Sequence, residues 1–216
     1  MAEVPITFQM VDTLAKANME QEYLRINPTG HIPMLSAGLS RVVAPGYVIF
    51  EWILKTNDKA KAIFHHAEQE VEINALQRYF FREMRGCTSQ LIARLALKVL
   101  DPEKAPKSEN PKVLEKLKLR FVEFEKQRLT KLNEQLGQAN HKYLTGDKQS
   151  VVDIILYCEI FEVLALYGRT LPMHLEHLNR WYDEIGSIQQ VKDINVKLIE
   201  VIDRLKLKEP HTEIYQ

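Results

Sequence analysis

The sequence predicts an α+β protein in which a small β-containing piece precedes a larger, all-helical one. Three observations carry this. Short β-branched and aromatic runs fall before residue 44. After Asp58 the apolar residues recur at helical spacing. Ser150 and Asp153 form an S-x-x-D capping box, and the run they open is apolar on nearly every side, as befits a helix in the middle of a bundle.

In order along the chain, "VPITFQMVD" (4–12) alternates loosely and predicts a strand. "TLAKANMEQEYLRI" is polar and predicts a loop with a short helical turn. "IPMLSAGLSRVVAP" predicts two short strands joined by a turn at Ala37 and Gly38, and "YVIFEWILKT" a helix packed on them. From Asp58 a long helix is expected through "REM", continuing through "QLIARLALKVL". A loop with three prolines follows, "DPEKAPKSENP". A helix over 112–137 places Leu114, Leu117, Phe121 and Phe124 on one face. The buried helix after Ser150 stops at Gly168, and two more helices cover 172–185 and 188–206. The domain boundaries expected are 1–57, 58–208 and a polar tail, 209–216.

Composition narrows the function classes. Lys+Arg and Asp+Glu number 29 each, so no net field draws the chain to nucleic acid or anionic lipid. No apolar run approaches the roughly 20 residues that span a bilayer, and "MAEVPITFQM" lacks the basic region of a signal peptide. Cys87 and Cys158 sit in apolar helical patterns without metal-ligand spacing, which predicts buried core thiols in a reducing compartment. His65-His66 with Glu68 and Glu70 reads as surface helix rather than zinc site, because consecutive side chains leave a helix in different directions. No metal is expected.

"EYLRINPTGHIPML" (22–35), "YLTGDKQSVVDIIL" and "HLEHLNRWYDEI" then carry a resemblance, in that order and at the right separations. Asn27, Gly30 and Pro33 look like a thioredoxin-like cis-proline loop. Gly146, Asp147, Ser150 and Asp153 match a Gly-Asp-x-x-Ser-x-x-Asp segment, and Leu178 with Trp181 match a later Leu-x-x-Trp. Together they resemble the glutathione transferase family, its theta class most closely, over most of the chain. The resemblance implies an incomplete thioredoxin-like N-terminal domain, lacking the first strand and helix, followed by the family's all-α C-terminal domain. It gives Asn27, Gly30, Ser150 and Asp153 structural roles, and makes Tyr79, Phe80 and Phe81 either core or interface residues.

The resemblance also locates a binding site. Family members hold the γ-glutamyl end of glutathione with an acidic residue and a serine where the helix after the sheet begins. Here that place reads "VVAPGYVIFEWIL", with Pro45-Gly46 in place of the pair. The thiol-activating Ser, Tyr or Cys falls upstream of the equivalent of Val4, so no catalytic residue is assigned. His31, Ile32 and Pro33 remain as vestigial glutathione-loop positions, where the Ile32 main chain pairs with an extended ligand.

Three functions follow. The favoured one is a non-catalytic structural or interaction subunit of a larger assembly, as this fold serves in translation-factor and tRNA-synthetase complexes, with a protein partner completing the sheet. The second is a working theta-like transferase that conjugates glutathione to electrophiles and whose true start lies upstream of Met1. The third is a binder of an apolar ligand or peptide between the domains. The first needs no cofactor; glutathione enters only with the second. A dimer, no nucleic acid, no membrane insertion and a cytoplasmic or cytoskeleton-associated location complete the expectations.

Overall fold

The computed structural model describes residues 6–13, 15–36, 42–43, 46–89, 91–92, 111–138 and 141–204. The chain divides into two compact units, Met1–Glu68 and Gln69–Gln216.

In the first unit a 3-10 turn, Ala17–Met19, leads into helix α1, Gln21–Ile26. Strands β1 (Leu35–Ser36) and β2 (Val42–Val43) pair antiparallel, with Leu35 opposite Val43 and Ser36 opposite Val42. The turn expected at Ala37 and Gly38 lies outside the described residues. Helix α2, Gly46–Thr56, follows, and the Asn57 side chain starts α3, Asp58–Phe64, by accepting the Ala60 N–H at 2.8 Å.

Two expectations fail here. Residues 6–10 form no strand: among the described residues the sheet has only β1 and β2, and Phe8 and Met10 stand almost fully exposed. Alternation says which side of a strand would face a core, but a strand forms only where a neighbour takes its N–H and C=O groups. The long helix expected from Asp58 is also two helices. His65 turns extended (φ −122°, ψ 115°) and closes α3, and a 3-10 turn at Ala67–Gln69 precedes the next helix.

Among its described residues the second unit is helical apart from a β-bridge between Tyr143 and Gly146. Helix α4, Glu70–Tyr79, runs through a π-helical turn, Phe80–Met84, into helical residues 85–89. Helix α5, Pro111–Val122, has a proline in its first turn, where a missing N–H costs nothing. A second π-helical turn, Glu123–Leu129, joins it to α6, Thr130–Gln138. Then come α7 (Val151–Leu166), α8 (Glu176–Gly186) and α9 (Gln189–Arg204). Helix α6 packs on α8, and α7 on α4, α8 and α9.

Helix α7 buries eleven residues, so it is the central element that its uninterrupted apolarity predicts. Gly168, at φ +60°, follows its end in the left-handed conformation that glycine adopts without strain. Of the face expected on the helix over 112–137, Phe121 on α5 and Phe124 in the π-helical turn are buried, and the side chains of Leu114 and Leu117 lie outside what is described. The burial continues at Leu129, Leu132 and Leu136.

Charges beside this core pair closely. Glu123 accepts Arg120 Nη1 and Arg128 Nη2, each at 2.6 Å, and Arg128 Nη1 reaches Glu83 at 2.7 Å. The hydrogen bonds from Arg128 and then Arg120 hold the Glu123 carboxyl below its ordinary 4.5. A folded pKa below the unfolded one stabilises fully above about 4.5, and that contribution is lost as pH falls through the folded value. Glu123→Gln is therefore expected to cost about 1 kcal/mol at pH 7 and nothing once the carboxyl is protonated. Urea titrations at the two pH values read the difference.

Candidate functional site

The loop after α1 is organised by one buried amide. Asn27 closes α1, its N–H donating to the Tyr23 carbonyl at 2.8 Å, and it is 3% exposed. Its Nδ2 donates to the His31 carbonyl at 2.7 Å, and its Oδ1 accepts the Thr29 hydroxyl at 2.7 Å. The Gly30 N–H donates to the Asn27 carbonyl at 3.0 Å. Gly30 sits at φ +66°, and a Cβ there would come within 2.9 Å of Met19 Sδ, so conformation and space both call for glycine.

Two further residues tie the loop down. Asn18 Nδ2 donates to the Gly30 carbonyl at 2.8 Å, and the Tyr23 hydroxyl to the His31 carbonyl at 3.0 Å. Nothing in the spacing of the motif pointed to either. Beyond them the Ile32–Pro33 peptide is cis, and His31, Ile32 and Pro33 are all exposed. Among the described residues no hydrogen bond uses the Ile32 main chain.

The hairpin register decides what faces this loop. Leu35 pairs with Val43, so Pro33, two residues before Leu35, and the start of α2, just after Val43, come to the same end of the hairpin. That is where an anion would be held by a helix amino terminus. The first turn of α2 contains no acidic residue; Pro45 lies outside the described residues. The structure thus brings together the proline loop and a helix start without a carboxylate.

In the helical unit, Ser150 and Asp153 meet as their spacing predicted. The Ser150 N–H and hydroxyl donate to Asp153 Oδ2 at 2.7 and 2.9 Å. Two donors that sequence did not suggest complete the site: the Leu144 N–H at 2.9 Å and Trp181 Nε1 at 2.8 Å, both to Oδ1. Asp153, Ser150 and Trp181 are fully buried. Burial pushes the Asp153 carboxyl above its ordinary value, opposed by these four hydrogen bonds. A carboxylate so enclosed has no face left for a substrate, so the cluster is architectural.

Other candidate groups do not assemble into a catalytic site. Cys87 is buried, as its apolar surroundings predicted, but Cys158 is exposed on α7, because its helix turns that side out from between α4, α8 and α9. Burial pushes Cys87 up to about 11. Cys158 also rises to about 11, from desolvation and then from Glu162 and Glu159, although part of the residue meets solvent. Neither thiol is activated. Phe80 is buried and Phe81 40% exposed, and Tyr79, partly buried, donates its hydroxyl to the Arg128 carbonyl at 3.3 Å. No group of three or more His, Cys, Asp or Glu among the described residues could hold a metal, and no described helix is long and apolar enough to cross a membrane.

Residues 99–194 match the family model for the glutathione S-transferase C-terminal domain. No curated protein matches the chain in sequence. Among solved structures, an epsilon-class glutathione S-transferase from the housefly, Musca domestica, is similar with a TM-score of 0.72 and 15% identity, over 95% of this chain and 89% of that one. A diazinon-metabolizing glutathione S-transferase of the silkworm, Bombyx mori, is similar at 0.67 and 15%, over 92% and 87%. The glutathione transferase URE2P5 from Phanerochaete chrysosporium gives 0.68 and 17%, over 91% and 84%. Identities this low establish a shared fold.

Proposed function

We propose that this chain, a glutathione S-transferase family member by its C-terminal domain and its fold, acts as a non-catalytic structural or protein-interaction subunit of a larger assembly. One observation carries the reading: the first turn of α2 has no acid, in the place that the family resemblance gives to the residues gripping the γ-glutamyl end of glutathione. Two charge-assisted hydrogen bonds lost at about 1.5–3 kcal/mol each weaken the tripeptide by at least a hundredfold or so. What remains at this place among the described residues is the helix amino terminus, which attracts the ligand's carboxylate but not its ammonium. A partner protein that supplies a neighbouring strand to the open hairpin, dimerisation of the kind common in the family, and a cytoplasmic or cytoskeleton-associated location belong to the same proposal.

A second reading, an active theta-like transferase conjugating glutathione to electrophiles, draws on the preserved loop. Asn27 still shapes it, and the Ile32 main chain stays open for an extended ligand. His31, Ile32 and Pro33 would then be its glutathione-binding residues rather than remnants of them. Calorimetry with reduced glutathione separates the two. The subunit reading expects no saturable heat at several millimolar, and restored binding in the paired variant Pro45→Glu with Gly46→Ser. Saturable heat at micromolar ligand in the unaltered protein sinks it in favour of the transferase.

A further inference from the structure

Helix α5 and the π-helical turn after it carry a charge imbalance that the packing of the unit does not use. The partly buried charges there satisfy one another: Arg120 and Arg128 on Glu123, and Arg169 Nη1 on Glu125 at 3.0 Å. Among the described residues of this stretch, Lys116, Lys118 and Lys126 are exposed against Glu115. On a chain whose 29 basic and 29 acidic residues cancel, that is a local positive field.

The same face is not merely solvated. Leu119 is 63% and Val122 45% exposed, and their three-residue separation puts them side by side on the helix. Lys116 lies one turn before Leu119, and Lys118 one turn before Val122. A concavity of about 400 Å³ opens on the Leu119 side, lined among the described residues by Lys116, Leu119, Arg120 and Glu123. Two adjacent apolar side chains bordered by lysines at a hollow are what a docking surface with a positive rim presents.

We propose that this face binds an acidic segment of a partner protein, with a large apolar residue of that segment lying on Leu119 and Val122 and its carboxylates facing Lys116 and Lys118. A phosphate-rich surface, nucleic acid or lipid, fits less well. Nucleic acid has no large apolar group to lay on Leu119 and Val122, and a lipid surface would bring its phosphates over Glu115, which stands within one turn of both Lys118 and Leu119. A peptide segment can place an uncharged residue there. The site stands on the helical unit alone and is independent of whether glutathione binds.

The test uses the full chain and a fluorescein-labelled peptide with glutamates and leucines on one helical face, read by anisotropy. Saturable binding that weakens with salt is expected, with none for the same peptide carrying glutamine in place of each glutamate. Lys116→Glu with Lys118→Glu is expected to raise Kd about tenfold or more. Leu119→Ser should also weaken binding at every salt concentration, a loss that charge alone would not cause. These positions are exposed, so circular dichroism should stay unchanged. No binding, equal binding of the glutamine peptide, or an unchanged Kd in the lysine variant overturns the proposal. Capture of phosphatidylserine vesicles or of an RNA oligomer in place of the peptide, abolished by the same lysine variant, overturns it in favour of a phosphate surface.

Discussion

Asp153→Ala is expected to leave the helical unit unfolded at room temperature. The substitution removes one acceptor pair and strands four donors: the main-chain N–H groups of Leu144 and Ser150, the Ser150 hydroxyl and Trp181 Nε1. Ser150 and Trp181 are fully buried, so water cannot replace the carboxylate without opening the core. Each stranded donor costs about 1–3 kcal/mol, and the sum reaches the whole stability of an ordinary domain, about 5–15 kcal/mol. Asp153→Asn separates this loss from mere loss of charge. Its amide oxygen can keep Leu144 and Trp181, while its NH₂ group confronts the Ser150 N–H, for a cost of about 2 kcal/mol. Urea unfolding followed by circular dichroism should find no transition for the alanine variant and a lowered midpoint for the asparagine one. A cooperative transition near the wild-type midpoint in the alanine variant would show that the cluster is dispensable.

The second large effect belongs to Phe124. It is fully buried and meets Phe121 edge to face, with centroids 6.4 Å apart; Phe121 meets Tyr167 in the same way at 4.5 Å. Tyr167 follows the end of α7 and donates its hydroxyl to the Leu91 carbonyl at 3.0 Å. The aromatic chain therefore couples α5, the end of α7 and the helix containing Leu91. Phe124→Ala is expected to destabilise by about 3–5 kcal/mol, because a packed interior collapses only partly into the space left. Phe124→Leu should cost well under half of that. Equal losses for the two would mean that the ring is not packed as described.

The helical half of the protein was the more legible in sequence, and the reason is physical. A helix satisfies its own main chain, so Ser150, Asp153 and the apolar run after them suffice to place α7. A strand does not, and "VPITFQMVD" carried alternation without a neighbour to use it. The break at His65 was invisible because no glycine or proline marks it. The candidate site divided in the same way. Asn27, Gly30 and Pro33 were readable as a motif, but Asn18 and Tyr23 join it only through the fold. So does Trp181, 28 residues from the carboxylate it holds. Cys158 was misjudged because a helix apolar all round gives no sign of which side its neighbours leave uncovered.

The second π-helical turn makes chain length itself a constraint. The buried positions Phe121, Phe124, Leu129, Leu132 and Leu136 follow one another at steps of three, five, three and four. The step of five falls within Glu123–Leu129, where the wider turn takes up one extra residue. Deleting exposed Lys126 would remove no core contact and no described ion pair, and it would leave steps of three, four, three and four, an ordinary α-helical stripe that keeps Leu132 and Leu136 towards α8. Deleting a residue from the α-helical stretch on either side has no such outlet: every later residue would rotate by about 100°, swinging both leucines away. Chain length is thus fixed along this helix to within the single residue that the wide turn absorbs.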